Sequence, residues 1–166
     1  MAASMDSRVR QRWALTRVGA STLELAATVL HAGDEGLARL NGMFGLCVWD
    51  DRDASFLLAR DRFGAKPLYV YEDEHCIAFA SELRTLLGLE GLDHALDPVG
   101  FQDYLSYRYN LAPHTMFARI RKLPAGHVLR FAAGRAETTR YAEVTMHEPA
   151  TVRPEADYVA ELDTLM

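Results

Sequence analysis

The chain has 166 residues, the size of one ordinary domain, since a single core usually holds roughly 100 to 200 residues. It is 49% hydrophobic, 10% aromatic and 25% charged, which excludes the disordered, collagen-like and disulfide-rich classes. Its 23 acidic and 18 basic residues leave a formal charge of -5, which argues against a duplex nucleic-acid binder with a basic face. The two cysteines, Cys47 and Cys76, lie in apolar runs, as in a reduced intracellular protein. The first 20 residues carry Arg8, Arg10, Arg12 and Arg17 but no apolar run long enough for a signal sequence. No stretch approaches the roughly 18 apolar residues of a membrane span. Neither nucleic acid nor membrane is expected as a partner, and the cytoplasm is the expected location.

From Thr22 the apolar positions Leu23, Ala26, Ala27 and Leu30 recur at helical spacing, with Ser21 or Thr22 as cap. A second short helix is expected over Asp34 to Leu40, beyond Gly33, and Asn41-Gly42 ends it. Met43 to Trp49 is almost continuously apolar and reads as a strand covered on both faces. Asp50 to Asp53 turns into a strand over Ser55 to Arg60. Strands follow at Leu68 to Tyr71 and Cys76 to Ala80, giving an antiparallel meander that places Cys47 and Cys76 on neighbouring strands. Ser81 then caps a helix over Glu82 to Leu87, closed by Gly88. Asp97-Pro98 starts a helix running to Tyr107. Strand-like pieces surround Phe117 and Val128 to Phe131, and Glu155 to Met166 reads as a last helix with Tyr158, Leu162 and Leu165 apolar.

The residues themselves show no catalytic constellation. The six histidines are dispersed, with no pair at metal-ligand helix spacing, so no metal site is assigned. Asp50, Asp51 and Asp53 lack the glycine and distal glutamate of a calcium loop and read as a solvated turn. Lys66 follows Gly64 without a phosphate-loop frame, and no Gly-x-Ser-x-Gly elbow occurs. Cys47 and Cys76 read as core fillers. Arg60-Asp61 is the informative polar pair, set between a buried strand and a glycine turn where charges need partners. Either an internal Arg/Asp bond fixes the bend there, or the pair contacts a ligand.

A series of motifs adds to this reading: Leu40-Asn41-Gly42-Met43-Phe44, Trp49-Asp50, Ala59-Arg60-Asp61-Arg62-Phe63-Gly64, Lys66-Pro67-Leu68-Tyr69 and Phe79-Ala80-Ser81-Glu82. Together they resemble the later part of the N-terminal class II glutamine amidotransferase domain of the glutamine-hydrolysing asparagine synthetases. Asp97-Pro98, Tyr104-Leu105, Pro113 to Phe117, Ile120 to His127 and Arg140-Tyr141 resemble the stretch that joins that domain to the synthetase domain. The resemblance implies an α+β fold, a partial αββα sandwich of antiparallel sheets of the Ntn-hydrolase type. It divides the chain into a non-matching segment 1–20, a partial amidotransferase domain 21–92, and a segment 93–166 that ends the domain and leads toward an absent synthetase domain. Arg60, Asp61, Gly64 and Pro67 are its structural motif.

In that family an N-terminal cysteine attacks the glutamine amide, its own α-amino group serving as base. Here Met1 is followed by Ala2 and Ala3, so no catalytic residue is assigned. By register from Leu40-Asn41-Gly42, Ser21 falls where the family has the aspartate that pairs with the substrate ammonium, and it cannot supply that charge. ATP and Mg would belong to the absent synthetase domain, leaving no cofactor for this chain. The expected function is the amidotransferase part of ATP-dependent transfer of the glutamine amide nitrogen to aspartate, with the chain inactive alone. The alternative is a non-catalytic docking domain for a separate synthetase or for a partner like the lasso-peptide cyclases or β-lactam synthetases. A synthetase domain or a complementing amidotransferase half is the expected partner. Without one, open strand edges and an uncovered apolar face imply instability or self-association.

Overall fold

The structure, a computed structural model, describes residues 22–50, 52–146 and 152–166. Helix α1 (Thr22–Arg39) is broken at Gly33, whose φ of 54° and ψ of -132° lie outside helical space, so it comprises the two expected helices end to end. Strands β1 (Gly45–Asp50) and β2 (Ser55–Arg60) form an antiparallel hairpin. Its turn is fastened by Asp53 Oδ1, which accepts from the Ser55 amide at 3.0 Å. A second hairpin joins β3 (Tyr69–Glu72) to β4 (Ile77–Ala80), its turn closed by Asp73 Oδ1 on the amides of His75 and Cys76.

Helices α2 (Leu83–Leu87) and α3 (Pro98–Tyr107) follow. Strands β5 (Ile120–Lys122), β6 (His127–Ala132) and β7 (Arg135–Arg140) come next, and α4 (Glu155–Leu165) is last. Asp97 caps α3 by accepting from the Val99 amide at 3.1 Å, with Pro98 in the first turn, as the sequence predicts.

The strands do not form one meander. They make two antiparallel sheets, ordered β1-β2-β6-β7 and β4-β3-β5, so the chain crosses between sheets after β2. Strand parity explains the separation. On β2, Phe56 and Leu58 face the inter-sheet core while Leu57 and Ala59 face the cluster that contains Val29 and Leu37 of α1. On β3, Val70 joins Leu68 in the inter-sheet core, and Tyr71 turns outward to Leu86 of α2. Period-two alternation thus gives each sheet two apolar faces, and the order is helix, sheet, sheet, helix. The fold is an α+β sandwich of the expected αββα kind.

Aromatic side chains pin the register of the inner layer. Trp49 stands opposite Phe56, and Phe56 opposite Phe131, with ring centroids 6.0 and 5.0 Å apart. Phe79 of the second sheet meets Phe56 at 5.6 Å and bridges the layers.

Several expectations are corrected. Cys47 and Cys76 are not on neighbouring strands: Cys47 lies on β1 against the inter-sheet core, and Cys76 lies in the turn before β4, against the α2 layer. Strand β1 is covered on both faces as expected, Cys47 and Trp49 against the inter-sheet core and Leu46 and Val48 in the α1 layer, but as an edge strand it buries Leu46 alone fully. Glu82, not Ser81, occupies the N-cap of α2, and it makes no side-chain capping bond. The strand expected around Phe117 is displaced to β5, while Phe117 makes only a bridge to Leu96. Strand β7 escapes the apolar pattern because Arg135–Arg140 is polar. Its signal is the two-residue turn Ala133-Gly134, with φ of 50° and 77°, the positive pair that a tight hairpin demands.

Helix α3 rests on the body through Gly100, which is buried while its neighbours are exposed or half-buried. A Cβ at Gly100 would lie 1.7 Å from the Thr115 carbonyl oxygen. Thr115 cannot yield, because its hydroxyl is fixed to the Ile120 carbonyl at 2.6 Å and accepts from the Phe117 amide. Gly100→Ala is therefore expected to force α3 off the body at a cost of about 1–3 kcal/mol. Thermal melting should fall by roughly 5 °C or more, with new proteolysis confined to the α3 region. An unchanged melting temperature and digestion pattern would contradict this packing.

Candidate functional site

The sequence predicts that charges at Arg60-Asp61 need partners, and the structure supplies them from the backbone. Arg60 ends β2, and its guanidinium forks onto three carbonyls: Nε to Lys66 at 2.8 Å, Nη1 to Leu123 at 2.7 Å and Nη2 to Gly64 at 2.7 Å. Asp61 has no exposed surface. Its Oδ1 accepts from the amides of Phe63 and Ala65 at 3.1 and 2.9 Å, and its Oδ2 from those of Lys66 and Phe44 at 2.9 and 3.3 Å. The two side chains do not bond each other in the expected manner. Each instead satisfies the irregular backbone that carries the chain from one sheet to the other.

Gly64 makes the turn possible with φ +64°, and a Cβ there would sit 3.0 Å from that of Ala125 and 3.1 Å from the Arg60 guanidinium carbon. Pro67 lies between the knot and β3 and lines the cleft described below. The main chain of Asp61 extends the knot, its N–H donating to Phe44 and its carbonyl accepting from Gly64 and Gly126. Tyr141 closes it, its hydroxyl donating to the Arg60 carbonyl at 2.8 Å. The sequence reading noted Arg140-Tyr141 without seeing this contact, which joins residues 81 positions apart.

Burial alone would raise the Asp61 pKa, but the four amides outweigh it and hold the carboxyl below the usual carboxylate range. Burial depresses the Arg60 pKa, against the opposing attraction of Asp61. Burial also pushes the Tyr141 hydroxyl up to about 12, with the Asp61 charge adding to it.

This arrangement decides what the motif can do chemically. Consecutive loop amides make an anion-binding nest, and here the chain's own carboxylate fills it. Phe63, Ala65 and Lys66 have no N–H to offer a phosphate, and the Arg60 fork is spent on carbonyls. Among the described residues no group of three His, Cys, Asp or Glu side chains could hold a metal ion. No helix among them is long and apolar enough to cross a membrane.

Beside Lys66 and Pro67 a cleft of about 260 Å³ opens between the sheets, lined by Gly45, Leu46 and Cys47 of the β1 side and Phe79 and Ala80 of β4. It marks the side of the sandwich where the edge strands of both sheets meet. Cys47 borders it, but burial pushes its thiol up to about 12, so it is no thiolate nucleophile at neutral pH. The Cys76 thiol is also raised, by burial and then by Asp73. Ser21, the candidate glutamine contact, lies outside the described residues.

A sandwich of antiparallel sheets between helices is the architecture implied by the motif series, and the comparison with protein families identifies the domain. The sequence profile of the glutamine amidotransferase domain matches residues 12–142, and the chain belongs to that family.

Its relatives include asparagine synthetase [glutamine-hydrolyzing] 1 of Bacillus subtilis, 34% identical over 102 residues that make up 61% of this chain and 16% of that protein. A putative asparagine synthetase [glutamine-hydrolyzing] of Mycobacterium tuberculosis is 37% identical over 106 residues, 62% of this chain and 16% of that protein. One from Methanocaldococcus jannaschii is 25% identical over 128 residues, 76% of this chain and 25% of that protein. The chain thus spans between a sixth and a quarter of the length of these relatives. It is an asparagine-synthetase-like glutamine amidotransferase domain.

Asp61→Asn keeps the shape but turns one acceptor oxygen into a donor facing amide donors. A loss of about 3 kcal/mol is expected in urea unfolding at neutral pH. Because the folded Asp61 pKa lies below its unfolded value, the carboxylate's contribution is complete above that unfolded value and fades as pH falls through the folded one. The gap between parent and variant should therefore narrow toward about pH 3. A gap that is constant with pH would refute the role of the charge.

Proposed function

We propose that this chain is the amidotransferase part of an asparagine-synthetase-type protein, in which glutamine amide nitrogen passes to aspartate in an ATP-dependent reaction. On its own the chain does not hydrolyse glutamine. The observation that carries the second statement is the state of its thiols. A sulfur nucleophile would have to be Cys47 or Cys76, the only cysteines of the sequence. Cys47 packs against the inter-sheet core, and burial raises both thiols, so neither supplies a thiolate cheaply. The intact family scaffold supports the first statement. ATP and Mg in this reading act on a synthetase domain, not on the knot.

A specific observation favours a second reading, a non-catalytic amidotransferase-like docking domain. Edge strands β1 and β4 flank the same cleft, where a complementing amidotransferase half could add strands to both sheets. A separately encoded synthetase, or a partner like the lasso-peptide cyclases or β-lactam synthetases, would then bind the completed unit.

Incubated with glutamine, the purified chain is expected to release ammonia only at the background rate and to gain no mass from a glutamine affinity label. Cys47, whose thiol burial raises, should react with a thiol reagent at neutral pH more slowly in the folded chain than after unfolding. Ammonia release that the label abolishes would overturn the inactive reading.

A further inference from the structure

Helix α1 ends at Arg39 and β1 starts at Gly45, and Asn41-Gly42 lies outside both elements. Both residues are exposed. Among the described residues nothing accepts from the Gly42 N–H, and nothing bonds the Asn41 carboxamide. A Cβ built on Gly42 would meet no atom within 4 Å, so the space around this backbone is open. An asparagine carboxamide is an electrophile for the amide nitrogen of the next residue, and a glycine there has no side chain to block the approach.

The other asparagine of the sequence supplies the contrast. Asn110 is half-buried, its Nδ2 donates to the Gly100 carbonyl, and the bulky Leu111 follows it. Lys122 Nζ holds its main-chain carbonyl at 2.5 Å. Both the carboxamide and the backbone that would have to fold onto it are fixed.

We propose that Asn41 is a self-modification site, at which the folded chain cyclises through Gly42 and opens to isoaspartate and aspartate. The Gly42 nitrogen bonds to Cγ of Asn41 and gives up its proton, and the Cγ–Nδ2 bond breaks as ammonia leaves. Water then adds to one of the two carbonyls of the succinimide and cleaves that carbonyl's bond to the Gly42 nitrogen. Opening at Cγ gives aspartate. Opening at the main-chain carbonyl gives isoaspartate, in which the chain runs through the β-carbon.

The position gives this product a consequence, because isoaspartate adds one main-chain atom between two anchors. On one side Leu37 is fully buried, and the Ala38 carbonyl accepts from Arg62 Nη2 at 2.8 Å. On the other, the Phe44 amide donates to Asp61 Oδ2 at 3.3 Å, the longest of the four bonds that hold that carboxylate. The added length loosens this bond first. The inference rests on the α1–β1 link alone and stands whether or not the chain hydrolyses glutamine.

Tryptic mass mapping of the full chain, fresh and then aged at neutral pH, tests it. The peptide of residues 40–52 should gain the mass difference between water and ammonia about tenfold or more faster than that of residues 109–119, which carries Asn110. An isoaspartate-specific methyltransferase should label the first peptide and not the second. The rate in the folded chain should lie within about threefold of the rate in guanidinium chloride. A single ammonia leaves per chain with or without glutamine, whereas glutaminase turnover would repeat and would need glutamine. Asn41→Gln should keep its mass and release none. The aged chain should melt about 2–4 °C below the fresh one, and Asn41→Asp, which has the charge without the extra atom, should melt like the fresh chain. An Asn41 as slow as Asn110, or one that reacts only in denaturant, overturns the proposal, as does an aged chain that melts like the fresh one.

Discussion

The structure depends on how one buried carboxylate is kept charged. Asp61 lies where the chain leaves the first sheet, with no exposed surface. An isolated buried carboxylate is prohibitively costly, and here four amide dipoles take the place of solvent. The exchange serves the backbone equally. A segment that crosses between sheets cannot join a ladder, so its N–H and C=O groups would be orphaned in the core. Asp61 takes the donors and Arg60 takes the acceptors. Planarity matters, because one guanidinium reaches carbonyls of the turn, of the entry to β3 and of the β5–β6 link together. A lysine ammonium is a compact point charge and cannot replace that fork.

From this knot the four layers follow. It fixes the start of β1 through Phe44, the end of β2, the approach to β3 through Lys66 and the entry to β6 through Leu123 and Gly126. With those strand ends set, parity decides which side chain enters which layer, and Phe56 becomes the hub on which Trp49, Phe79 and Phe131 meet. The same parity turns Cys47 toward the inter-sheet core. The raised pKa of its thiol is thus a consequence of register, since a one-residue slip would move it to the other face of β1.

Local signals and the two sequential hairpins were legible in the sequence, and the long-range pairings were not. Asp97-Pro98 announces α3 because cap chemistry and a fixed φ act within four residues. The ends of β2 are legible because Asp53 and Arg60 bracket an apolar run. The division into two sheets is invisible to periodicity, since β2 finds its second neighbour, β6, some 70 residues later. Strand β7 was missed because its partner alone holds it in place. At the knot, the sequence located the charges and their need for partners. It could not show that the partners are peptide groups, because carbonyls and amides are present at every position and only the fold selects seven of them.

The two exposed regions of the molecule lie at different edges of the second sheet. Strand β4 borders the cleft with β1, while β5 at the other edge is covered by the Pro113–Phe117 segment, where the Lys122 amide meets the Pro113 carbonyl at 2.8 Å. Helix α3 is attached on that covered side through Thr115 and Met116. Helix α3 therefore stands away from the β1–β4 mouth. The mouth offers backbone edges and an apolar cleft, suited to added strands. Helix α3 offers a side-chain stripe, the exposed Phe101, Tyr104 and Leu105. The two surfaces therefore differ in chemistry and in position.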